Sequence, residues 1–257
     1  CIRDSAIAQD AATQDKAKQV WQVLDYLAVD YGAAVQGGLV VSKNEYAEMQ
    51  EFSENAEKQL ASLPKTAASS DLLLKAGKLR KLIANKASAD EVASLSRTLA
   101  TQVLQVYPVP LSPSKAPDLG RGSALYQANC ASCHGAQGHG DGPLAAQLNP
   151  PPIALSGHDR AKERSIFSLQ QIISHGVAGT SMPSFAQLSE DDRWAIAFFA
   201  STLSYSDADR QAGKAAWASD AAIRGVLPNL SALTQASETA LSKQLPSTAG
   251  PVLAYLR

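Results

Sequence analysis

Only three cysteines occur in 257 residues, Cys1, Cys130 and Cys133, too few to build a disulfide scaffold. Charge of either sign is not in excess: the formal net charge is −1, which gives no electrostatic reason for a nucleic-acid partner or an anionic membrane surface. Long hydrophobic runs are missing too. The most apolar stretch, AIAFFASTL (195–203), is about half of the roughly 18–20 residues that span a bilayer. No signal peptide is recognisable, although one cleaved before residue 1 is compatible with the start of the chain. No strand-like alternation stands out, so the expected class is all-α. Histidine is absent from the first half, and all four (His134, His139, His158, His175) fall between residues 130 and 175. Methionine occurs twice, at 49 and 182. Cys1 stays open between a processing or lipid-attachment site and no role.

What is present divides the chain in two. From about 15 to 35, Val20, Leu24, Leu27 and Tyr31 recur at helical spacing, with Gly37-Gly38 as the stop. Ser42 is the expected N-cap of a helix whose apolar stripe is Tyr46, Met49, Phe52, Ala56 and Leu60, closed by Pro64. Two more amphipathic segments follow, with Leu72, Leu79 and Ile83 on one face, then Val92, Leu95, Leu99, Val103 and Val106. Four such helices with short connections predict an antiparallel bundle over 1–106. The stretch YPVPLSPSKAPDLG (107–120) holds four prolines and reads as a linker. A second helical unit is expected over 121–204. The tail, 205–257, shows three short helical patterns, and its GKAAW (213–217) echoes GSALY (122–126) without the cysteines. A tail packed on the second unit is the expectation, a degenerate repeat the alternative.

The stretch ANCASCHGAQGHGDGP (128–143) carries the chemistry. Structural zinc needs four ligands, usually from a second Cys or His pair, and none follows. A thioredoxin-like dithiol belongs in a βαβ pattern, which is absent. The remaining reading is covalent haem: Cys-x-x-Cys-His sets two thiols about one helical turn apart, with His134 next to them as proximal iron ligand. The distal ligand comes from His139, His158, His175 or Met182. Met182 lies in the loop GTSMPSF (179–185) with no apolar stripe to belong to, unlike Met49, and its soft thioether favours ferrous haem. Gly179 and Pro183 are expected to hold that loop, and His175 is the runner-up. The run LNPPPI (148–153), with Pro152, offers a backbone carbonyl for the other ring nitrogen of His134.

The segments LYQANCASCHGAQGHGDGP, GVAGTSMPSF and LSEDDRWAIAFFASTL together resemble a class I cytochrome c domain, over about residues 115–205. The resemblance implies one covalent haem c on Cys130 and Cys133, ligated by His134 and Met182, with Trp194 near the haem edge. It also implies electron transfer through an exposed haem edge. The segment LDYLAVDYGAAVQGGLVVSKNEYAEMQEF (24–52) resembles the extracytoplasmic N-terminal region of bacterial iron permeases fused to a cytochrome c, and GPVLAYLR (250–257) is similar to the approach to their membrane part. No transmembrane segment and no membrane glutamate motif are present, so the chain corresponds to the soluble portion, and transport is not expected of it alone. The implied partners are a membrane iron permease segment or subunit and a redox partner protein. The implied place is the bacterial periplasm, with tethering to the inner membrane through a missing segment.

Glu45, Glu48, Glu51, Glu54 and Glu57 recur every third residue, so at about 100° per residue they spiral around their helix. Glu45 and Glu48 fall at the apolar face or its border. With Asp25 or Asp30 of the preceding helix they form a candidate set of hard oxygen ligands for non-haem iron, against the plainer reading of a solvated acidic face. Three function classes follow. The chain takes electrons from ferrous iron in iron uptake, a ferroxidase-like role; or it is a general carrier whose bundle docks a partner; or it is a haem peroxidase, which needs the open sixth position that Met182 closes.

Overall fold

The computed structural model describes residues 10–257, so Cys1 lies outside the described residues. The chain is all-α apart from one small hairpin and divides into two compact units, one ending at Val109 and one spanning Pro110–Arg257.

The first unit is a four-helix bundle of α1 (Ala11–Ala34), α2 (Lys43–Ser62), α3 (Ser69–Ala84) and α4 (Ala89–Val106). Helix α1 begins before the apolar stripe does because Asp10 caps it, its carboxylate accepting from Thr13 N at 2.7 Å. Helix α2 starts on Ser42 as expected, and α4 on a full capping box of Ser88 and Glu91. α1 and α3 each pack against both α2 and α4, which closes the bundle. Leu24, Leu27, Met49, Ile83 and Leu99 fill the centre, each fully buried. Tyrosine hydroxyls finish the helix ends: Tyr31 Oη donates to Ala87 O and Tyr46 Oη to Ile83 O, both at 3.0 Å, so the last carbonyls around α3 are satisfied.

One element departs from the sequence expectation. Between α1 and α2 the chain forms a hairpin, β1 (Val35–Gln36) paired antiparallel with β2 (Leu39–Val40). Its two-residue turn is Gly37-Gly38 with φ of 56° and 78°, the left-handed pair that matches the twist of a tight hairpin. With two residues per strand, no alternation could announce it.

The second unit is built on two helix crossings of the same design. In the first, α5 (Leu119–Asn129) lies against α9 (Glu190–Thr202). A Cβ on Gly122 would overlap the backbone carbonyl of Ala195 and stand 3.1 Å from the Cβ of Phe199. In the second, α10 (Asp207–Ser219) lies against α14 (Ala249–Leu256), and a Cβ on Gly213 would overlap the carbonyl of Pro251 and stand 3.0 Å from the Cβ of Tyr255. In both, a glycine meets a carbonyl and then an aromatic residue four positions further on. An aromatic residue, Tyr126 or Trp217, also follows each glycine by four. The tail therefore packs within the second unit and repeats the crossing of the part before it.

Three short helices join α10 to α14: α11 (Ala221–Val226), α12 (Leu230–Gln235) and α13 (Glu238–Leu241). Earlier in the unit come α6 (Ala131–His134), α7 (His158–Ala161) and α8 (Ile166–His175). Polar contacts fasten the tail back to them. Tyr205 Oη donates to Glu238 Oε2 at 2.9 Å, and Glu238 Oε1 meets His158 Nε2 at 3.2 Å. The buried Arg257 donates to Arg164 O at 3.4 Å as well as to Ala236 O at 2.8 Å, and Thr239 N donates to Lys162 O at 3.1 Å.

Candidate functional site

Cys130 closes α5 and opens α6, a single turn that also holds Cys133 and His134. Cys133 N and His134 N both donate to Cys130 O, at 3.1 and 2.9 Å, so one helical turn sets the spacing of the two thiols and the ring. The loop that follows folds back on this turn. Gly140 N donates to His134 O at 2.8 Å, Gly142 N to Cys133 O at 3.1 Å and Leu144 N to Ser132 O at 2.9 Å, giving the short helix's last carbonyls their donors. Gly142 is required there, since a Cβ would meet the backbone carbonyls of Ser132 and Ala131.

His134 Nδ1 lies 3.0 Å from Ile153 O. A carbonyl only accepts, so Nδ1 is the donor of this bond and Nε2 is the nitrogen left for a metal. The carbonyl belongs to Ile153, the residue after the three prolines. Pro152, the sequence candidate, instead brings its carbonyl against Gly140. The proline run stiffens the approach and the next residue makes the bond.

Both described cysteines are free thiols and half-buried. Burial first, and the neighbouring Cys133 second, push the Cys130 thiol up to about 11. A redox dithiol is activated by the opposite shift, which Cys130 does not show.

Met182 sits in a loop pinned to the end of α8. Val177 N donates to Met182 O at 3.1 Å, Met182 N to Thr180 Oγ1 at 3.1 Å, and Ser184 Oγ to Ser174 O at 2.6 Å. Gly179 takes the left-handed conformation the turn demands, φ 76°, and Pro183 is exposed just past the methionine. The side chain of Met182 is half-buried, whereas Met49 is wholly inside the bundle core. The other histidines have occupations of their own. His139 Nδ1 meets Ser156 Oγ at 2.8 Å, His158 meets Glu238, and His175 ends α8.

Three observations test whether these residues suit a haem. His134 has Nε2 left for iron. Leu144 and Ile153 are 42% and 36% exposed, and both adjoin the Cys130–His134 turn through the bonds just described, so apolar surface there lacks a cover. Trp194, 2% exposed between Phe167 and Phe198, has an indole Nε1 with no acceptor among the described residues, a buried donor left for an acceptor the chain does not supply. The donor set fits. Arg121 of α5 joins α9 through Asp192, its guanidinium forking onto the carboxylate (Nη2–Oδ2 2.7 Å) and holding that carboxyl below the usual range. Neither Ile153 nor the Arg121–Asp192 pair was picked out from sequence. A carbonyl has no residue signature, and the pair joins positions 71 apart.

The bundle carboxylates behave differently. Asp30 is buried, Asp25, Glu45 and Glu48 are half-buried, and Glu51 and Glu54 are exposed. Burial first, then Glu45, Glu51 and Asp30, push the Glu48 carboxyl up. Among the described residues, however, no three His, Cys, Asp or Glu side chains converge on a point where an ion could be held. The expected set of Asp25, Asp30, Glu45 and Glu48 is therefore not assembled as ligands. Glu45 belongs to the first turn of α2, its N–H bonded to Ser42 Oγ at 3.4 Å, rather than to the core. Among the described residues no helix is long and apolar enough to cross a membrane.

Comparison with known proteins divides the chain in the same way. Residues 7–110 match the family model of the iron permease-associated 4-helix bundle domain. Residues 117–199 match that of cytochrome c oxidase, cbb3-type, subunit III. No curated protein matches the chain. Among solved structures, a chain of the Kuenenia stuttgartiensis reducing HAO-like protein complex aligns at 22% identity with a TM-score of 0.34. That alignment covers 46% of this chain and 61% of the other, and is too loose to carry an argument.

Proposed function

We propose that this chain, which joins an iron-permease-associated bundle domain to a cytochrome c domain, is a one-haem electron carrier that takes electrons from ferrous iron on behalf of a membrane iron permease. The observation that carries the reading is that pairing of domains in one chain. The periplasm is the compartment it implies, because haem of this type is attached outside the cytoplasmic membrane. When bound, haem c supplies a one-electron iron couple. The chain's own residues do the rest. Cys130 and Cys133 would tether the cofactor, His134 would offer Nε2 from the ring that Ile153 orients, and Met182 would offer a neutral sulfur. Were His134 and Met182 both to hold the haem iron, no position would be left open for peroxide, the one that the peroxidase reading needs.

Ferrous iron enters this reading as a reductant and substrate, and among the described residues no group of three His, Cys, Asp or Glu is placed to hold it. One Fe²⁺ becomes Fe³⁺ for each electron taken up. The second reading is a general carrier whose bundle docks a partner. The test is anaerobic mixing of the oxidised full-length protein with ferrous iron, followed by haem absorbance. The expected result is full reduction, retained in a Glu45→Ala/Glu48→Ala variant. An oxidised haem that ferrous iron leaves untouched removes iron from the function and leaves the general carrier. Loss of reduction in the variant alone would instead make the α2 carboxylates the iron site.

A further inference from the structure

Residues 205–257 lie beyond both family matches, which end at residues 110 and 199, yet they make a set of bonds that falls on one short stretch of the haem unit. Glu238 Oε1 meets His158 Nε2 at 3.2 Å. Thr239 N donates to Lys162 O at 3.1 Å, and Thr239 Oγ1 to Glu163 Oε1 at 2.5 Å. Arg257 Nη2 donates to Arg164 O at 3.4 Å. Lys162 O and Arg164 O are carbonyls just past the single turn of α7, and the tail supplies a donor for each.

The place of that stretch, 158–164, gives these bonds their meaning. On one side it follows Ile153, whose carbonyl orients His134. On the other it leads through the N-cap Ser165 into α8, and the Met182 loop is pinned to the last turn of that helix. Phe185 N donates there to Ile173 O at 2.9 Å, and Ser184 Oγ to Ser174 O at 2.6 Å. The stretch is thus the covalent link between the support of His134 and the carrier of Met182.

The tail is itself firmly seated where it makes these contacts. Glu238 Oε2 accepts from Tyr205 Oη at 2.9 Å, and the guanidinium of Arg257 lies 5.9 Å from the centre of the Tyr205 ring. Arg164 and Arg257 are both buried, and a buried cation is tolerated only where it is hydrogen-bonded and near opposite charge. Helix α12 lies against α8 and is anchored in turn by the buried Thr234, whose hydroxyl donates to Leu111 O at 2.6 Å.

We infer that the tail is a clamp on the haem site, with Glu238, Thr239 and Arg257 as positioning residues that hold 158–164 and so keep the Met182 loop set against the His134 side. The inference rests on the reading of Met182 as distal ligand and extends that site to the tail. The physical ground is leverage. Helix α8, with ten residues, is a rod of about 15 Å. Released just before its N-cap, it can tilt, and the loop fixed to its other end moves with it. Openings of this local kind need far less free energy than unfolding of the whole unit.

The test uses the ferric, haem-loaded full-length protein, with excess imidazole as a competing ligand and its binding to iron followed by absorbance. Imidazole binds only after the methionine has left, so the limiting rate reads the opening of the loop. The expected result is a rate about tenfold higher in Glu238→Ala, the effect of losing one hydrogen bond to a charged group. Thr239→Val, a milder change, should be faster than wild type as well. Glu238→Gln keeps an acceptor for Tyr205 Oη and should stay within about twofold of wild type. Lys162→Ala loses the ion pair with Asp159 but keeps the carbonyl bond to Thr239 N, and should leave the rate unchanged. Amide hydrogen exchange on the same proteins gives a second reading, with protection of residues 166–175 lowered in Glu238→Ala together with that of the tail.

Wild-type rates in both Glu238→Ala and Thr239→Val, or protection lost in the tail alone, would overturn the inference, since the tail would then be a separate support. Acceleration in Lys162→Ala as large as in Glu238→Ala would overturn it too, because the hold would lie within the stretch itself. If Met182→Ala binds imidazole no faster than wild type, the methionine does not guard the iron. The reading of the distal ligand then fails, a different outcome from a tail without influence.

Discussion

Replacing Met182 by alanine lowers the haem reduction potential by on the order of 100 mV, a fraction of the about 0.8 V range that axial ligation spans. The neutral thioether favours the ferrous state, and its removal hands the distal position to water or another donor. The haem itself stays attached, because Cys130 and Cys133 are untouched. The loop has no other evident use for this side chain: the fold of residues 177–184 rests on backbone and hydroxyl bonds, and Met182 enters them only through its own N–H and carbonyl. A structural loss and a ligand loss are therefore separable. The measurement is a redox titration of wild type, Met182→Ala and His175→Ala, with the thioether-to-ferric-iron absorption followed alongside. Loss of that absorption and a lower potential in Met182→Ala alone is the expected pattern. The same losses in His175→Ala, with Met182→Ala unchanged, would move the distal ligand to the end of α8.

The second large effect comes from the helix crossings. In an unencumbered helix Gly→Ala stabilises by about 1 kcal/mol, because glycine has the costlier backbone entropy. At Gly122 and Gly213 the sign reverses. The added methyl has to displace a backbone carbonyl as well as an aromatic side chain, and overpacking of this kind costs about 1–3 kcal/mol or more. Gly225, in α11 with nothing within 4 Å of its Cβ position, is the internal control and should gain or stay neutral on the same substitution. Gly122→Ala should also reduce the yield of haem-loaded protein, because α5 delivers Cys130 directly into the cysteine turn. Gly213→Ala should destabilise without that loss. Thermal or denaturant unfolding of the three variants, with haem content per chain, reads both. Equal stability in all three would mean that the two crossings are looser than described.

Much of this architecture could be read from the sequence, for reasons that differ by element. The bundle helices are legible because each buries one stripe at helical spacing, Val20 to Tyr31 in α1 and Val92 to Val103 in α4, and because Ser42 announces the start of α2. The cysteine turn is legible because its chemistry sits within five consecutive positions. What escaped was whatever depends on contact between distant segments. The Gly37-Gly38 hairpin has strands too short for a pattern. The carbonyl for His134 belongs to Ile153 and not to Pro152, a one-residue difference that only the path of the chain decides. GKAAW looked like a faint echo of GSALY, but its meaning lies in Pro251 and Tyr255, which stand to Gly213 as Ala195 and Phe199 stand to Gly122. The bundle acids misled in the opposite direction. Glu45, Glu48, Asp25 and Asp30 are near enough in sequence and helix phase to suggest a metal set, yet three converging donors are not found among the described residues.

The central claim is that this chain is a cytochrome holding one covalent haem at Cys130 and Cys133. Its most direct test is the intact mass of the full-length protein made in a host that matures c-type cytochromes, read together with the alkaline pyridine haem spectrum. The account predicts a mass greater than the polypeptide by one haem, resistant to acid extraction, and a polypeptide-only mass in Cys130→Ala/Cys133→Ala. A polypeptide-only mass in the unmodified protein, or haem that extracts freely, would contradict it.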